Sequence, residues 1–148
     1  MKLVNEVELL VGLKIPDTTA ITAFHTLEKL GYKITKLKRK LYYKFSVSGD
    51  AKSVDQFKEQ IVKTDIIVNA NKNTAEFIEG DIPLCVLVKD IGVDSSLVKS
   101  LNNLGLKGVS GVEKGVLWTM DCDKETAEKI AKDLLANIHY QTFEIRGV

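Results

Sequence analysis

The stretch HTLEKLGYKITKLKR, residues 25–39, decides the fold because a similar stretch, KSLNNLGLKGVSGVEK, follows at residues 99–114. The two stretches share a Leu-x-x-Leu-Gly sequence that ends at Gly31 in the first and at Gly105 in the second. These glycines are 74 residues apart in a chain of 148. Because a unit of about 70 residues buries only a marginal core, we expect the two copies to pack as a pseudo-dimer.

Each copy carries the same succession of patterns. A short apolar run ends at Lys14 in the first copy and at Lys89 in the second, and Asp17 or Asp94 then suits a helix N-cap. Apolar residues recur at helical spacing up to the glycine that ends the helix. A second strand or hairpin and a second helix follow. Each copy therefore predicts the order β-α-β-β-α with a possible terminal strand, which is ferredoxin-like.

These patterns predict an α+β protein of two tandem ferredoxin-like repeats, residues 1–78 and 79–148, related by a pseudo-twofold axis. We expect an antiparallel sheet in each repeat, with helices on one face. The segment Ile66 to Val68 is predicted as a short strand near the joint, and Ser53 as the cap of the second helix. The last helix is predicted over residues 124–136.

Composition and charge are those of an ordinary globular chain. Hydrophobic residues make up 45% and charged residues 28%, and the net charge of +1 gives no field that would attract nucleic acid or an anionic membrane. The apolar runs are too short to span a bilayer. Asn5, Glu6 and Glu8 interrupt the N-terminal apolar character, unlike a signal peptide. We expect a cytoplasmic protein.

The sequence contains no strong catalytic or metal-binding signature. His25 and His139 stand apart from other ligand-type residues, and Cys85 and Cys122 lie within apolar strand patterns that indicate buried thiols. The glycines of GVSGVEKG, residues 108–115, lack the spacing of a phosphate-binding loop or a dinucleotide fingerprint. We therefore predict no intrinsic catalysis, no cofactor and no metal.

Local positive charge is concentrated on the second strand of the first repeat. At a two-residue period one strand face would present a stripe of lysines about 7 Å apart; they are Lys36, Lys38, Lys40 and Lys44. This stripe could contact phosphate groups or an acidic partner, or it could be a solvated strand face that resists aggregation. The second repeat has no such stripe, and its Trp118 indicates burial or an interface.

The segment LLANIHYQTFEI, residues 134–145, resembles the C-terminal signature of PurS, the small subunit of phosphoribosylformylglycinamidine synthase. The strand ending at Lys89, the helix opening at Asp94 and the Leu-x-x-Leu-Gly ending at Gly105 fit the same template. The first repeat matches it through Lys14 and the helix that ends at Gly31. The resemblance covers nearly the whole chain as two PurS-like units.

The resemblance implies a noncatalytic accessory subunit in purine biosynthesis. It would join the large synthetase subunit of a glutamine-dependent amidotransferase to the glutaminase subunit, and it could associate further with itself. The candidate interface residues are Trp118, Asn137, Tyr140 and Phe143. Ile138 stands where the family usually has proline, so a PurS-like paralogue with another client is also consistent with the sequence.

Two other functions are compatible with the patterns. A pair of ferredoxin-like units resembles ACT regulatory domains, in which a small ligand sits near the turn between the first strand and the first helix; Gly12 and the turn IPDTT, residues 15–19, permit this. Nucleic-acid binding through the Lys36 to Lys44 face is the other alternative, and the near-neutral net charge makes it the weaker one.

Overall fold

A computed structural model describes residues 4–137 and 139–147 of the chain. Ile138, named above as a departure from the PurS pattern, lies outside these residues. Within them the strands are β1 (Val4–Leu13), β2 (Leu37–Ser48), β3 (Asn73–Phe77), β4 (Cys85–Asp90), β5 (Val109–Met120) and β6 (Gln141–Arg146). The helices are α1 (Thr18–Lys29), α2 (Ala51–Ile61), α3 (Ser95–Asn103) and α4 (Lys124–Ile130), which a π-helix (Ala131–Leu135) extends. No helix in the described ranges is long and apolar enough to cross a membrane.

The six strands belong to one sheet, in the order β3-β1-β2-β5-β4-β6. Antiparallel pairing joins β1 to β3 and joins β4 to both β5 and β6. The α+β class is therefore confirmed, but the expected separate sheet in each repeat is wrong. Because β2 and β5 are each one unbroken strand of 12 residues, the order within each half is β-α-β-α-β, not β-α-β-β-α.

Two compact units divide the chain, and each takes segments from both halves of the sequence. Of the described residues, the first unit contains those up to Lys14 together with Tyr42–Ile78 and Gly92–Lys114. The second contains Ile15–Leu41, Glu79–Ile91 and the described residues from Gly115 onward. The compact units therefore do not follow the boundary predicted at residue 78.

The core of the first unit combines β1, α2 and part of β2 with α3 and part of β5. Phe45 is fully buried, and its ring meets Phe57 edge to face with the centroids 5.2 Å apart. Leu101 of α3 is also fully buried in this cluster. The remaining buried members are Val7, Leu9, Val11, Val47, Ile61, Ile67, Val68, Leu106, Val109 and Val112.

The core of the second unit combines α1 with β4, α4 and parts of β2 and β5. Leu27 of α1 and Ile130 of α4 are fully buried in it. The other buried members are Ala20, Ile34, Val86, Val88, Trp118, Met120, Ala127 and Ala131. On β4 the opposite face is buried as well, since Leu87 has no exposed surface. This explains why the run from Cys85 to Val88 is continuously apolar instead of alternating.

An aspartate begins every α-helix in the described ranges. Asp17 accepts hydrogen bonds from the amides of Thr19 and Ala20, and Asp94 and Asp123 make the same kind of contact at α3 and α4. The caps predicted at Asp17 and Asp94 are confirmed. The cap predicted for α2 is wrong: Asp50 is the N-cap and accepts from the Ser53 amide and hydroxyl. A carboxylate accepts two such bonds better than a serine hydroxyl could.

The segment between α2 and β4 departs most from expectation. The strand predicted at Ile66 to Val68 is wrong, because the amides of Ile67 and Val68 both donate to the Thr64 carbonyl in a turn. Both side chains are buried in the core of the first unit. The strand β3 follows at Asn73, whose side-chain oxygen accepts from the Asn69 amide. Its sequence NTAEF carries little β-propensity, so pairing with β1 decides its conformation.

Candidate functional site

The predicted lysine stripe is divided between the two units. Lys36, Lys38 and Lys40 belong to the second unit, and Lys44 belongs to the first. Lys36 precedes β2 and is exposed, as is Lys38, while Lys40 is half-buried. Tyr42, which the two-residue period places on the same strand face as Lys38 and Lys40, is fully buried.

Lys44 lies between carboxylates of the two neighbouring strands of its own unit. Its Nζ is 3.2 Å from Glu6 Oε1 on β1 and 3.5 Å from Glu113 Oε2 on β5. Burial alone would lower the pKa of Lys44, but the hydrogen bonds and attraction from Glu6 and Glu113 raise it. The ammonium is thus charged and compensated, which leaves it little to offer a phosphate group.

Trp118 is buried in the core of the second unit and is 7% exposed. The guanidinium carbon of Arg39 lies 5.9 Å from the centre of its ring. Arg39 Nε also donates to Asp17 Oδ2 at 2.8 Å, while Asp17 Oδ1 caps α1. Arg39 therefore fixes the N-terminus of α1 against the tryptophan through an ion pair and a cation-π contact.

A groove runs over Trp118 between α1 and the π-helix, and it is the candidate functional site. Its volume is about 420 Å³. The lining side chains of α1 are small, and those of the opposite wall are leucines; the described members are Thr18, Thr19, Thr22, Ala23, Thr26, Trp118, Leu134 and Leu135. The site is therefore an apolar trough with a row of hydroxyls along one side.

The π-helix shapes the leucine wall. The Ala136 amide donates to the Ala131 carbonyl at 2.9 Å, which is the wider turn of a π-helix. A wider turn brings Leu134 and Leu135, which are consecutive residues, to line the same groove. The prediction of a regular α-helix through residue 136 is therefore wrong for its last turn and a half.

Asn137 organises the exit from the π-helix into β6. Its side-chain oxygen accepts from the His139 amide, and its carbonyl accepts from the amides of both Tyr140 and Gln141. This turn presents Tyr140 with 71% of its surface exposed, and the Tyr140 carbonyl accepts from the amide of Ile91, which is 64% exposed. We call these two side chains the Tyr140 knob.

A polar frame surrounds the Tyr140 knob. The Gln141 amide group donates to Asp90 Oδ1 at 2.9 Å, and Gln141 Oε1 accepts from the Asn137 amide at 3.0 Å. Phe143, the other predicted interface residue of this segment, is half-buried against the core of the second unit. Of the predicted interface residues, Asn137 and Tyr140 thus lie together at the knob, while Trp118 lies under the groove.

Asp121 closes the loop before β2 in the second unit. It accepts hydrogen bonds from the amides of Thr35 and Lys36, both at 2.9 Å, and from the Thr35 hydroxyl. These bonds, with the one from the Thr35 side chain contributing most, lower the pKa of Asp121 to about 2. The carboxylate is therefore a structural anchor that favours the folded chain when ionised.

The replacement Asp121→Asn is expected to lower the urea midpoint of unfolding near neutral pH. Because the folded pKa lies below the unfolded value of 3.8, the stabilisation is present above about pH 4 and is lost as the pH falls toward about 2. The difference between the variant and the parent should shrink over that range. Asp81→Asn, at an exposed acid of the same unit, is the control. A difference between the two urea midpoints that does not change with pH would contradict this stabilising role of the Asp121 carboxylate.

The cysteine and histidine side chains in the described ranges make contacts that do not form a catalytic or metal site. Burial raises the pKa of the Cys85 and Cys122 thiols, so both are poor nucleophiles. His25 is exposed and contacts Glu28 one turn along α1. Among residues 4–137 and 139–147, no group of three or more His, Cys, Asp or Glu side chains is placed to hold a metal ion.

The sequence interpretation missed the groove and Ile91. A signal for the groove was available in TTAITAFHT, residues 18–26, which holds four threonines although threonine is a weak helix former. The exposed Ile91 had no signal of its own, because its neighbour Tyr140 is 49 residues away in the sequence.

Comparisons with protein-family models and with curated proteins found no match to this chain.

Proposed function

We propose that the chain is a noncatalytic, cytoplasmic accessory subunit of the PurS type. It would bind the large synthetase and glutaminase subunits of a glutamine-dependent amidotransferase in purine biosynthesis, or the corresponding subunits of another client. The observation that carries the proposal is the Tyr140 knob. The exposed Tyr140 is held by Asn137 within the segment that resembles PurS, and the exposed Ile91 lies beside it because its amide donates to the Tyr140 carbonyl.

The chemistry of the knob suits a protein partner. Tyrosine is enriched among residues that dominate binding energy, because its ring buries a large area and its hydroxyl can still find a polar partner. Ile91 adds aliphatic surface, and Asp90 and Gln141 bond to each other at its edge. An apolar centre with a polar rim is the usual anatomy of an interface.

The tandem arrangement is supported by the order of the elements. Each half has the order β-α-β-α-β. In the sheet order β3-β1-β2-β5-β4-β6, exchanging β1 with β4, β2 with β5 and β3 with β6 gives the same order read from the other edge, as a twofold axis between the halves would require. The ion pairs also correspond: Asp17 pairs with Arg39 in one unit and Asp94 pairs with Lys114 in the other. Two PurS-like repeats in one chain would replace a dimer of single units.

Binding to purified partner subunits tests the proposal. We expect the chain to co-elute with the synthetase and glutaminase subunits of its own organism, and to support glutamine-dependent turnover by them. Tyr140→Ser should weaken the association by about 30-fold, the loss typical of a central interface tyrosine. Leu30→Ser is the matched control, since Leu30 is 57% exposed in the same unit but lies at the C-cap of α1.

Two results would count against this function. The first is a parent chain that associates with neither subunit. The second is an equal loss of binding in the Tyr140→Ser and Leu30→Ser variants. Equal losses would show that the partner does not bind at the Tyr140 knob. Circular dichroism of both variants should match the parent, because both positions are exposed.

A further inference from the structure

The groove of the second unit exists because the side chains that α1 presents there are small. Two helices on one sheet face normally fill the space between them with interlocking side chains. Here Thr19, Ala23 and Thr26, spaced at about one helical turn, line a space of about 420 Å³. That volume lies at the lower end of the range of roughly 300–1,000 Å³ for small-molecule sites.

The hydroxyls of α1 supply hydrogen-bonding capacity along one wall. Thr26 Oγ1 donates to the Thr22 carbonyl of its own helix at 3.0 Å. Thr18, Thr19 and Thr22 are exposed, so their hydroxyls can donate to or accept from a molecule in the groove. The opposite wall of Leu134 and Leu135 can take only an apolar surface.

Charge determines the kind of occupant. None of the described residues that line the groove is ionisable. The guanidinium of Arg39 lies at the Trp118 floor and pairs with Asp17 at 2.8 Å. A charged ligand would lose its hydration without gaining an oppositely charged partner in the groove, which costs free energy. An uncharged ligand does not have this cost.

The π-helix is a second, independent indication of a site. Its wider turns pack less well than an α-helix, and such segments occur frequently at functional sites. In this chain the π-helix covers residues Ala131–Leu135 and places both leucines of the wall at the groove.

We propose that this groove binds a small uncharged amphipathic molecule. Its branched or ring-shaped apolar body would lie against Trp118 and the two leucines, and amide or hydroxyl groups along one edge would meet Thr18, Thr19 and Thr22. This site is separate from the Tyr140 knob, so it holds whether or not the accessory function does.

Trp118 provides a direct readout, because it is the only tryptophan of the chain and lies under the groove. The probe is N-acetyl-leucinamide, which carries a branched apolar body and two amides without charge. We expect a saturable change in Trp118 fluorescence with half-saturation at millimolar probe, as befits so small a ligand. N-acetyl-leucine, which differs by one negative charge, should bind at least about 10-fold more weakly.

Three variants of the full chain complete the test. Ala23→Leu fills the groove and should weaken binding of the probe at least about 10-fold. Thr22→Val removes one hydroxyl and should weaken binding of the probe about 3- to 10-fold. Thr142→Val removes an exposed hydroxyl from β6, outside the groove, and should change nothing. Thr22 is exposed, so Thr22→Val tests the site even if Ala23→Leu fails to fold. No saturable signal, equal binding of the charged analogue, or equal losses in Thr22→Val and Thr142→Val would each overturn the proposal.

Discussion

Replacing Phe45 with alanine is expected to lower the free energy of unfolding by about 3–5 kcal/mol, the loss typical of a fully buried aromatic residue. Phe45 has no exposed surface. Its ring packs edge to face against Phe57 and lies nearly parallel to Tyr43, with an interplanar angle of 11°. Removing it would leave a cavity between β2 and α2 that neither neighbouring ring can fill without leaving its own position.

Urea denaturation followed by circular dichroism measures this loss. Leu41→Ala is the control on the same strand, because Leu41 is 39% exposed and should cost less than about 1 kcal/mol. Trp118 fluorescence reports the second unit separately, since the tryptophan lies in that unit. A loss for Phe45→Ala as small as that for Leu41→Ala would show that Phe45 is not central to the first core.

The replacement Gly115→Ala is expected to cost about 3 kcal/mol, at the upper end of the range for overpacking. Gly115 pairs with Lys89 across β5 and β4. An added Cβ would lie 2.2 Å from the Val88 carbonyl oxygen and 3.1 Å from the Lys89 Cα. Both are backbone atoms, so only a shift of the strand could relieve the clash. The close approach of β5 to β4 at this position therefore requires a glycine.

Gly111→Ala is the matched control for this prediction, because it lies on the same strand. Its added Cβ would lie 3.3 Å from Ser46 Oγ and 3.5 Å from Ser46 Cβ, atoms of a side chain that can adjust. We expect a change within about 1 kcal/mol. Equal urea midpoints for the Gly111→Ala and Gly115→Ala variants would contradict the close approach of β5 to β4.

The local features of the fold were predictable because they depend on neighbouring residues. An aspartate before a helix must satisfy the free amides of the first turn, and Asp17, Asp94 and Asp123 do so. Gly31 ends α1 with a φ of +92°, a conformation that costs other residues energy. The apolar spacing that predicted α1 and α3 is likewise a property of a single helix.

Features that depend on distant residues were not predictable from the same patterns. The strand β3 forms because β1 offers an edge for NTAEF, and the β-propensity of those five residues is too low to have indicated it. The groove needs α1, Trp118 and the π-helix together, so it has no contiguous signature. The π-helix at Ala131–Leu135 was not predicted, because a segment of five residues is too short to show a period of its own in the sequence.

The partition of each compact unit across both halves has a consequence for synthesis on the ribosome. The first unit takes in residues as far along the chain as Lys114, and the second takes in β6, which ends at Arg146. The nascent first half therefore has no complete core of its own when it emerges. Its apolar residues therefore stay exposed to other molecules until the second half has been synthesised. A pause in translation after β3 would be more hazardous for this protein than one after β5.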